Sequence, residues 1–166
     1  MIFHTRRWIK PQDLNPNGSL FGGTLLAWLD EEAAIYAAGQ LDNSRLVTKY
    51  ISEIEFINPV RLGDVIELGV VVRDFGRTSI TLGCEVRNKV TGQPVLTIDR
   101  IVFVNLDAEG QPLPHGRQEV TETRMVYRRP PPVEVDAAAA PSLERSPLAR
   151  PPVARPREAP VSGTPR

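Results

Sequence analysis

Three consecutive carboxylates, Asp30, Glu31 and Glu32, sit inside an otherwise very apolar stretch from Thr24 to Ala38. A polar run, Asp13-Leu14-Asn15-Pro16-Asn17-Gly18-Ser19-Leu20-Phe21-Gly22-Gly23, leads into it. A carboxylate held among apolar side chains is partly desolvated, which raises its pKa and makes it a better base. The pair Gly22-Gly23 opens the helix without a Cβ in the way. Its first-turn N–H groups are therefore accessible and carry the positive end of the helix dipole, the raw material of an oxyanion hole. Two plainer readings stand beside these. Asp30 is a satisfied core acid with Glu31 and Glu32 on a solvated edge, or the glycine pair serves close packing at a turn.

Helical geometry sharpens the choice. At 3.6 residues per turn, Gly23, Leu26, Ala27, Ala33, Ala34 and Ala37 fall within about 60° of Asp30. Asp30 thus shares a face with small apolar residues, which lets another backbone or a flat ligand come close. Glu31 and Glu32 point about 100° and 200° away, so the three acids cannot share one solvent stripe and at least one is held against protein or ligand. Gly23 and Asp30 stand roughly 10 Å apart along the axis. A reacting carbonyl and its attacking water must lie within about 3 Å of the donors and the base. One helix cannot supply both ends. Two antiparallel copies can, with Gly23 of one chain facing Asp30 of the other, so the site is expected at a two-fold dimer interface.

The elements that must position these residues are legible from pattern. Ile2 to Lys10 reads as a short strand, and Gly39 as the helix stop. Leu46–Ile57, Asp64–Asp74, Thr78–Asn88 and Val95–Leu106 read as long strands, separated by turn chemistry at Asn58-Pro59, Leu62-Gly63-Asp64, Phe75-Gly76-Arg77 and Thr91-Gly92. Tight turns make the last three an antiparallel meander. A single helix that is apolar all round must be wrapped by the sheet. The expected class is α+β: one long central helix inside a curved antiparallel sheet of about five strands.

Composition bounds the rest. The chain has 166 residues, 41% hydrophobic and 24% charged, with zero net charge. Through Tyr127 there are 13 basic against 16 acidic residues; from Arg128 onward, 7 against 4. That later part also holds 10 of the 16 prolines and almost nothing to bury. We read residues 1–127 as one folded domain and 128–166 as a disordered Pro/Ala/Arg-rich tail whose removal leaves activity unchanged. No stretch approaches the roughly 20 apolar residues that span a bilayer, and the N-terminus lacks the order of a signal peptide. One cysteine, Cys84, excludes an internal disulfide and fits a reducing compartment. The expectation is a cytoplasmic protein without stable membrane association, and the absence of a basic stripe argues against nucleic acid. Cys84 has no nearby His and reads as strand packing, while His4 and His115 belong to no metal-ligand or Ser-His spacing.

The run Asn15-Pro16-Asn17-Gly18-Ser19-Leu20-Phe21-Gly22-Gly23, with Asp30-Glu31 beyond it, resembles the signature of the hotdog-fold acyl-CoA thioesterases. It is closest to the bacterial short-chain and animal cytosolic acyl-CoA hydrolases. Glu55-Phe56-Ile57-Asn58-Pro59-Val60, Gly63-Asp64, Gly76-Arg77-Thr78-Ser79 and Ile101-Val102-Phe103-Val104 extend the match, which covers residues 4 to 115. The resemblance implies hydrolysis of acyl-CoA to a free acid and CoA, with neither metal nor cofactor. It implies a homo-oligomer, a dimer joined through its sheets and commonly assembled into hexamers. It makes Asp30 the catalytic carboxylate, as base on water or as nucleophile, and the amides at Gly22 and Gly23 the groups that polarise the carbonyl. Some relatives have an Asn where this chain has Ser19, so the water-orienting part falls to Asn17 or Ser19. Gly76-Arg77-Thr78-Ser79 corresponds to the part that meets the pantetheine arm and phosphates of CoA. Exposed strand groups and Arg77 are its candidates, Arg61 is a second phosphate candidate, and Phe56 is either core or acyl-pocket lining.

Two other classes are weighed against this. A hydroxyacyl dehydratase on the same fold pairs the helix carboxylate with a His in the preceding loop, and Pro11 to Gly23 contains none. A non-catalytic acyl-CoA binding or sensing module would use the same pocket. Acyl chain length is not written in the sequence, because it depends on pocket depth at the dimer seam.

Overall fold

The computed structural model describes residues 1–121, so the tail expected over 128–166 lies outside the described residues. Its elements run β1 (Ile2–Trp8), a short 3₁₀ turn (Pro11–Asp13), α1 (Gly22–Leu41), β2 (Leu46–Ile51), β3 (Ile54–Phe56), β4 (Val65–Phe75), β5 (Ser79–Asn88) and β6 (Pro94–Asn105). All strands join one antiparallel sheet of order β1-β4-β5-β6-β2, with β3 also paired to β6. The expected meander is β4-β5-β6.

Strand alternation chooses the buried face. Ile66, Leu68 and Val70 on β4, Ile80, Leu82, Cys84 and Val86 on β5, and Leu96, Ile98, Ile101 and Phe103 on β6 are all buried. Against them α1 lays Leu25, Leu29, Ala33, Tyr36 and Ala37, spaced by three and four residues so that they share one helix face. The helix touches β2, β4, β5 and β6, so the sheet spreads around it as its all-round apolarity requires.

Three boundaries differ from expectation, each for a local reason. The helix continues through Gly39 to Leu41, because Gln40 and Leu41 are buried and hold the last turn in place. It ends at Asp42, whose left-handed backbone (φ 53°) turns the following N–H, that of Asn43, back to the carbonyl of Ala38 (3.2 Å). The strand expected over Leu46–Ile57 is two strands, so the sheet has six rather than about five. On β6 two residues, Asp99 and Arg100, stand in the place of one where Leu82 and Cys84 pair with Ile101 and Ile98. This bulge bends β6, and the chain paired beside it breaks at Ser52 and Glu53. Ser52 closes the break by donating its N–H to the Arg100 carbonyl (2.9 Å) while its Oγ accepts the Arg100 N–H (3.1 Å). Finally, β1 stops at Trp8 because Pro11 starts the 3₁₀ turn.

Candidate functional site

The polar loop before α1 is organised by Asn15. Its Oδ1 accepts the backbone N–H groups of Asn17 (2.9 Å) and Ser19 (3.2 Å), and its Nδ2 donates to Ser19 Oγ (3.0 Å). The backbone closes the same turn, with Gly18 at φ +70°, a conformation costly for any residue with a Cβ. Asn17 lies exposed at the tip, whereas Ser19 is half-buried and turned inward. Sequence reasoning offered Asn17 and Ser19 as polar partners but missed Asn15. The signal was available, since an Asn two residues before another turn residue often bonds its own backbone.

Phe21 precedes the helix in extended conformation, and no side chain caps α1. Among the described residues no backbone acceptor takes the N–H groups of Gly22, Gly23 or Thr24; the first helical bond runs from Leu25 to the Phe21 carbonyl. The Phe56 ring packs over Gly22, where a Cβ would stand 3.3 Å from it. Ser19, Gly22, Leu25, Phe56 and Asn58 line a cleft of about 250 Å³ at this end of the helix. Phe56 is therefore cleft lining rather than core, and it is 54% exposed. Arg61 is carried close by, because its backbone bridges to Ser19.

Asp30 is not in that cleft. It lies half-buried in the middle of α1, and its Oδ1 accepts a hydrogen bond from Thr48 Oγ1 on β2 (2.9 Å). Glu31 pairs with Arg7 on β1 (3.3 Å), and Glu32 accepts from Thr5 Oγ1 on the same strand. The three acids thus divide between opposite edges of the sheet, as their arc on the helix demands. Each has a partner, which corrects the picture of Glu31 and Glu32 as a merely solvated edge. Thr48 was missed because eighteen residues of sequence separate it from Asp30. Cys84 packs beneath this region. Burial, with the Asp30 and Glu32 carboxylates beside it, pushes its thiol up to about 12, so it stays protonated and inert.

Outward from α1 runs a stripe of exposed residues four apart: Gly23, Ala27, Glu31 and Ile35. Next to it the edge strand β2 exposes Val47, Tyr50 and Ile51. Small residues flanked by exposed apolar ones on an edge strand form a surface that closely approaching chains can cover.

Arg77, Thr78 and Ser79 lie far from the glycine cleft, at the hairpin between β4 and β5 near the C-terminal end of α1. The carbonyls of Arg77, Thr78 and Ser79 are taken by the N–H groups of His115 (3.3 Å), Asn105 (2.8 Å) and Gly76 (2.8 Å). The expectation of free strand groups for a substrate arm is therefore not met by these carbonyls, while the exposed Arg77 side chain remains available.

One long helix lying across a six-stranded antiparallel sheet, with a glycine-opened N-terminus and a mid-helix carboxylate, is the hotdog fold. A sequence profile of the thioesterase superfamily matches residues 17–95. The acyl-CoA thioester hydrolase YciA of Salmonella typhimurium is 34% identical over 115 residues, covering 66% of this chain and 86% of the relative. A hexameric thioesterase from Yersinia pestis superposes with a TM-score of 0.64 at 30% identity, over 70% of this chain and 96% of that one. An acyl-CoA hydrolase from Staphylococcus aureus, solved with butyryl coenzyme A and coenzyme A, gives 0.61 at 31% identity over 66% of each chain. The chain belongs to the thioesterase superfamily.

Proposed function

We propose that this protein hydrolyses the thioester of acyl-CoA, releasing a carboxylic acid and CoA. The observation that carries the reading is the mid-helix Asp30, held through one oxygen by Thr48 on the outward side of α1 in a thioesterase-family fold. Asp30 takes a proton from water as the water oxygen bonds to the thioester carbonyl carbon. Charge that develops on the carbonyl oxygen meets the open amides of Gly22 and Gly23. The carbon–sulfur bond then breaks, and the sulfur leaves with the proton returned from the carboxyl. A positioned general base contributes on the order of 10²–10⁴ in rate, and each donor to the oxyanion about 10²–10³.

Seven residues of helix separate Gly23 from Asp30, roughly 10 Å, so neither copy alone holds a complete site. The stripe of Gly23, Ala27 and Ile35 and the apolar edge of β2 support a homodimer that brings one chain's glycine cleft to the other's Asp30. Hexameric relatives support further assembly of such dimers. Ser19, steadied by Asn15, and the exposed Asn17 are the candidates to orient the water. Phe56 lines the acyl side of the cleft, and Arg61, Arg77, Thr78 and Ser79 lie along the CoA path.

The test follows thiol release from acyl-CoAs ranging from acetyl to palmitoyl, with wild type and Asp30→Asn side by side. Wild type should turn over at least one chain length, and Asp30→Asn should lose about 10²-fold or more in kcat while keeping its fold and dimer. Near-wild-type rates in the variant would sink the assignment of Asp30. Wild type that binds acyl-CoA but never consumes it would move the protein to a binding or sensing role.

A further inference from the structure

The backbone on either side of Ser19 is pinned. Ser19 gives its N–H to Asn15 Oδ1 (3.2 Å), and its carbonyl accepts the Asn15 N–H (2.7 Å). Leu20 donates to the Val60 carbonyl (2.9 Å), and Phe21 to the Asp13 carbonyl (2.8 Å). These bonds fix the register from Ser19 to the first helical residue, Gly22. The Ser19 hydroxyl has Asn15 as its one hydrogen-bond partner among the described residues.

The Asn15 amide decides the sense of that contact. An amide oxygen accepts from backbone N–H groups and an amide NH₂ does not, so the bonds from Asn17 and Ser19 settle which end of the side chain is Oδ1. The same two donors occupy both lone pairs of that oxygen. Ser19 Oγ stands 3.0 Å from Nδ2 and 3.3 Å from Oδ1, so it accepts from Nδ2 and keeps its own hydrogen free. Ser19 and Gly22 line one cleft, together with the apolar side chains of Leu25, Phe56 and Val60. An uncommitted O–H and an uncommitted N–H therefore belong to one mostly apolar concavity, three residues apart on a pinned chain.

We infer that Ser19 is a third hydrogen-bond donor to the thioester carbonyl oxygen, beside the amides of Gly22 and Gly23, and that Asn15 is the positioning residue that fixes the sense of its hydroxyl. The inference rests on the acyl-CoA reading of the site and turns Ser19 from the water to the carbonyl. As the water oxygen bonds to the carbonyl carbon, the carbon–oxygen π electrons move onto oxygen. The Ser19 hydrogen bond strengthens there, and its proton stays on Oγ. Apolar walls lower the local dielectric, so the bond is stronger than it would be in water. Removal of the water proton stays with Asp30.

The experiment follows hydrolysis of one acyl-CoA by wild type, Ser19→Ala, Ser19→Thr and Asn15→Asp. Ser19→Ala should lower kcat about 10²-fold with KM little altered, and Ser19→Thr, which keeps a hydroxyl, should recover much of the loss. Asn15→Asp is the deciding variant. One carboxylate oxygen still accepts the N–H groups of Asn17 and Ser19, so the loop and its Tm should hold. The other oxygen can only accept, so it draws the Ser19 hydrogen to itself and leaves the Oγ lone pairs to the cleft. A carbonyl donor is lost by that reversal, and kcat should fall about as far as in Ser19→Ala. A water-orienting acceptor would survive it, so near-wild-type kcat in Asn15→Asp overturns the inference. Combining Asn15→Asp with Ser19→Ala separates the hydroxyl from the added charge. The double variant should be little slower than Ser19→Ala, and single losses that multiply in full also overturn it.

A second readout needs no turnover. A ketone analogue of acyl-CoA, with a methylene in place of sulfur and an isotopic label on its carbonyl, reports hydrogen bonds to that oxygen through its infrared stretch. Ser19→Ala and Asn15→Asp should each move the bound band to higher frequency, and Ser19→Thr should leave it near its wild-type place. That result supports the donor role even if wild type hydrolyses nothing, the outcome that defeats the catalytic reading alone. A band identical in wild type and Ser19→Ala, or an analogue that wild type does not bind, refutes it.

Discussion

Thr48 Oγ1 donates to Asp30 Oδ1 at 2.9 Å, tying the edge strand β2 to the middle of α1. The bond fixes the carboxylate by one oxygen and leaves the other without a protein donor among the described residues. A base held this way keeps its acceptor aimed outward, toward the stripe where Gly23 and Ala27 permit close approach.

Replacing Thr48 by Val removes the hydroxyl and keeps the branched shape. A hydrogen bond to a charged group contributes about 1.5–3 kcal/mol, and the lower figure alone corresponds to about 10-fold, so kcat should fall by at least that much with KM little altered. The loss should stay below that of Asp30→Asn, which removes the base itself. Steady-state kinetics on one acyl-CoA ranks the two variants, and a Thr48→Val enzyme as impaired as Asp30→Asn would contradict the positioning role.

Asn15 serves the loop that carries Ser19 and leads to Gly22. Asn15→Ala deletes its two accepted and one donated bonds at once, and should cost about 1–2 kcal/mol of stability. For a domain near this size that is a fall in Tm of roughly 4–12 °C, readable by thermal denaturation. Activity should fall with it even well below the new Tm, because Ser19 and the helix-start amides lose their fixed register.

Glu67 on β4 is buried on the sheet face away from α1 and gathers Arg87 (2.7 Å), Lys89 (3.3 Å) and Arg6 (3.5 Å). Hydrogen bonding from Arg87 first, and from Lys89, holds its carboxyl below the usual glutamate range despite burial. A lowered native pKa stabilises the fold fully above the ordinary glutamate pKa of about 4.3. The contribution shrinks as pH falls through that value and is gone below the native pKa. Denaturant midpoints from about pH 7 to pH 3 should decline for wild type and decline less for Glu67→Gln, which starts lower because three cations then face one another. Parallel curves for the two proteins would remove Glu67 from the acid response.

Cys84 should resist alkylation in the native protein at mildly alkaline pH and react fully once unfolded, because its thiol is buried and pushed up to about 12. The raised pKa also works through linkage. Its contribution is intact below the ordinary thiol pKa of about 8.5 and is lost as pH rises toward the native value. Mass spectrometry after timed alkylation separates the states, and rapid native labelling would show that the strand opens.

The sequence by itself determined the order of elements, the meander of β4, β5 and β6, and the arc that sends Asp30, Glu31 and Glu32 in different directions. These are local matters. Alternation of period two, helical spacing and turn residues act over a few positions, and the run from Asn15 to Gly23 with Asp30 beyond it was enough to suggest the family. What sequence could not show depends on contacts between distant positions. The break at Ser52 exists because β6 bulges at Asp99 and Arg100, and α1 passes Gly39 because Gln40 is held by Thr121. The partner of Asp30 is Thr48, and the N–H that takes the Arg77 carbonyl belongs to His115. Packing and register over tens of residues fix such pairs, so only the tertiary structure decided where each polar group found its partner.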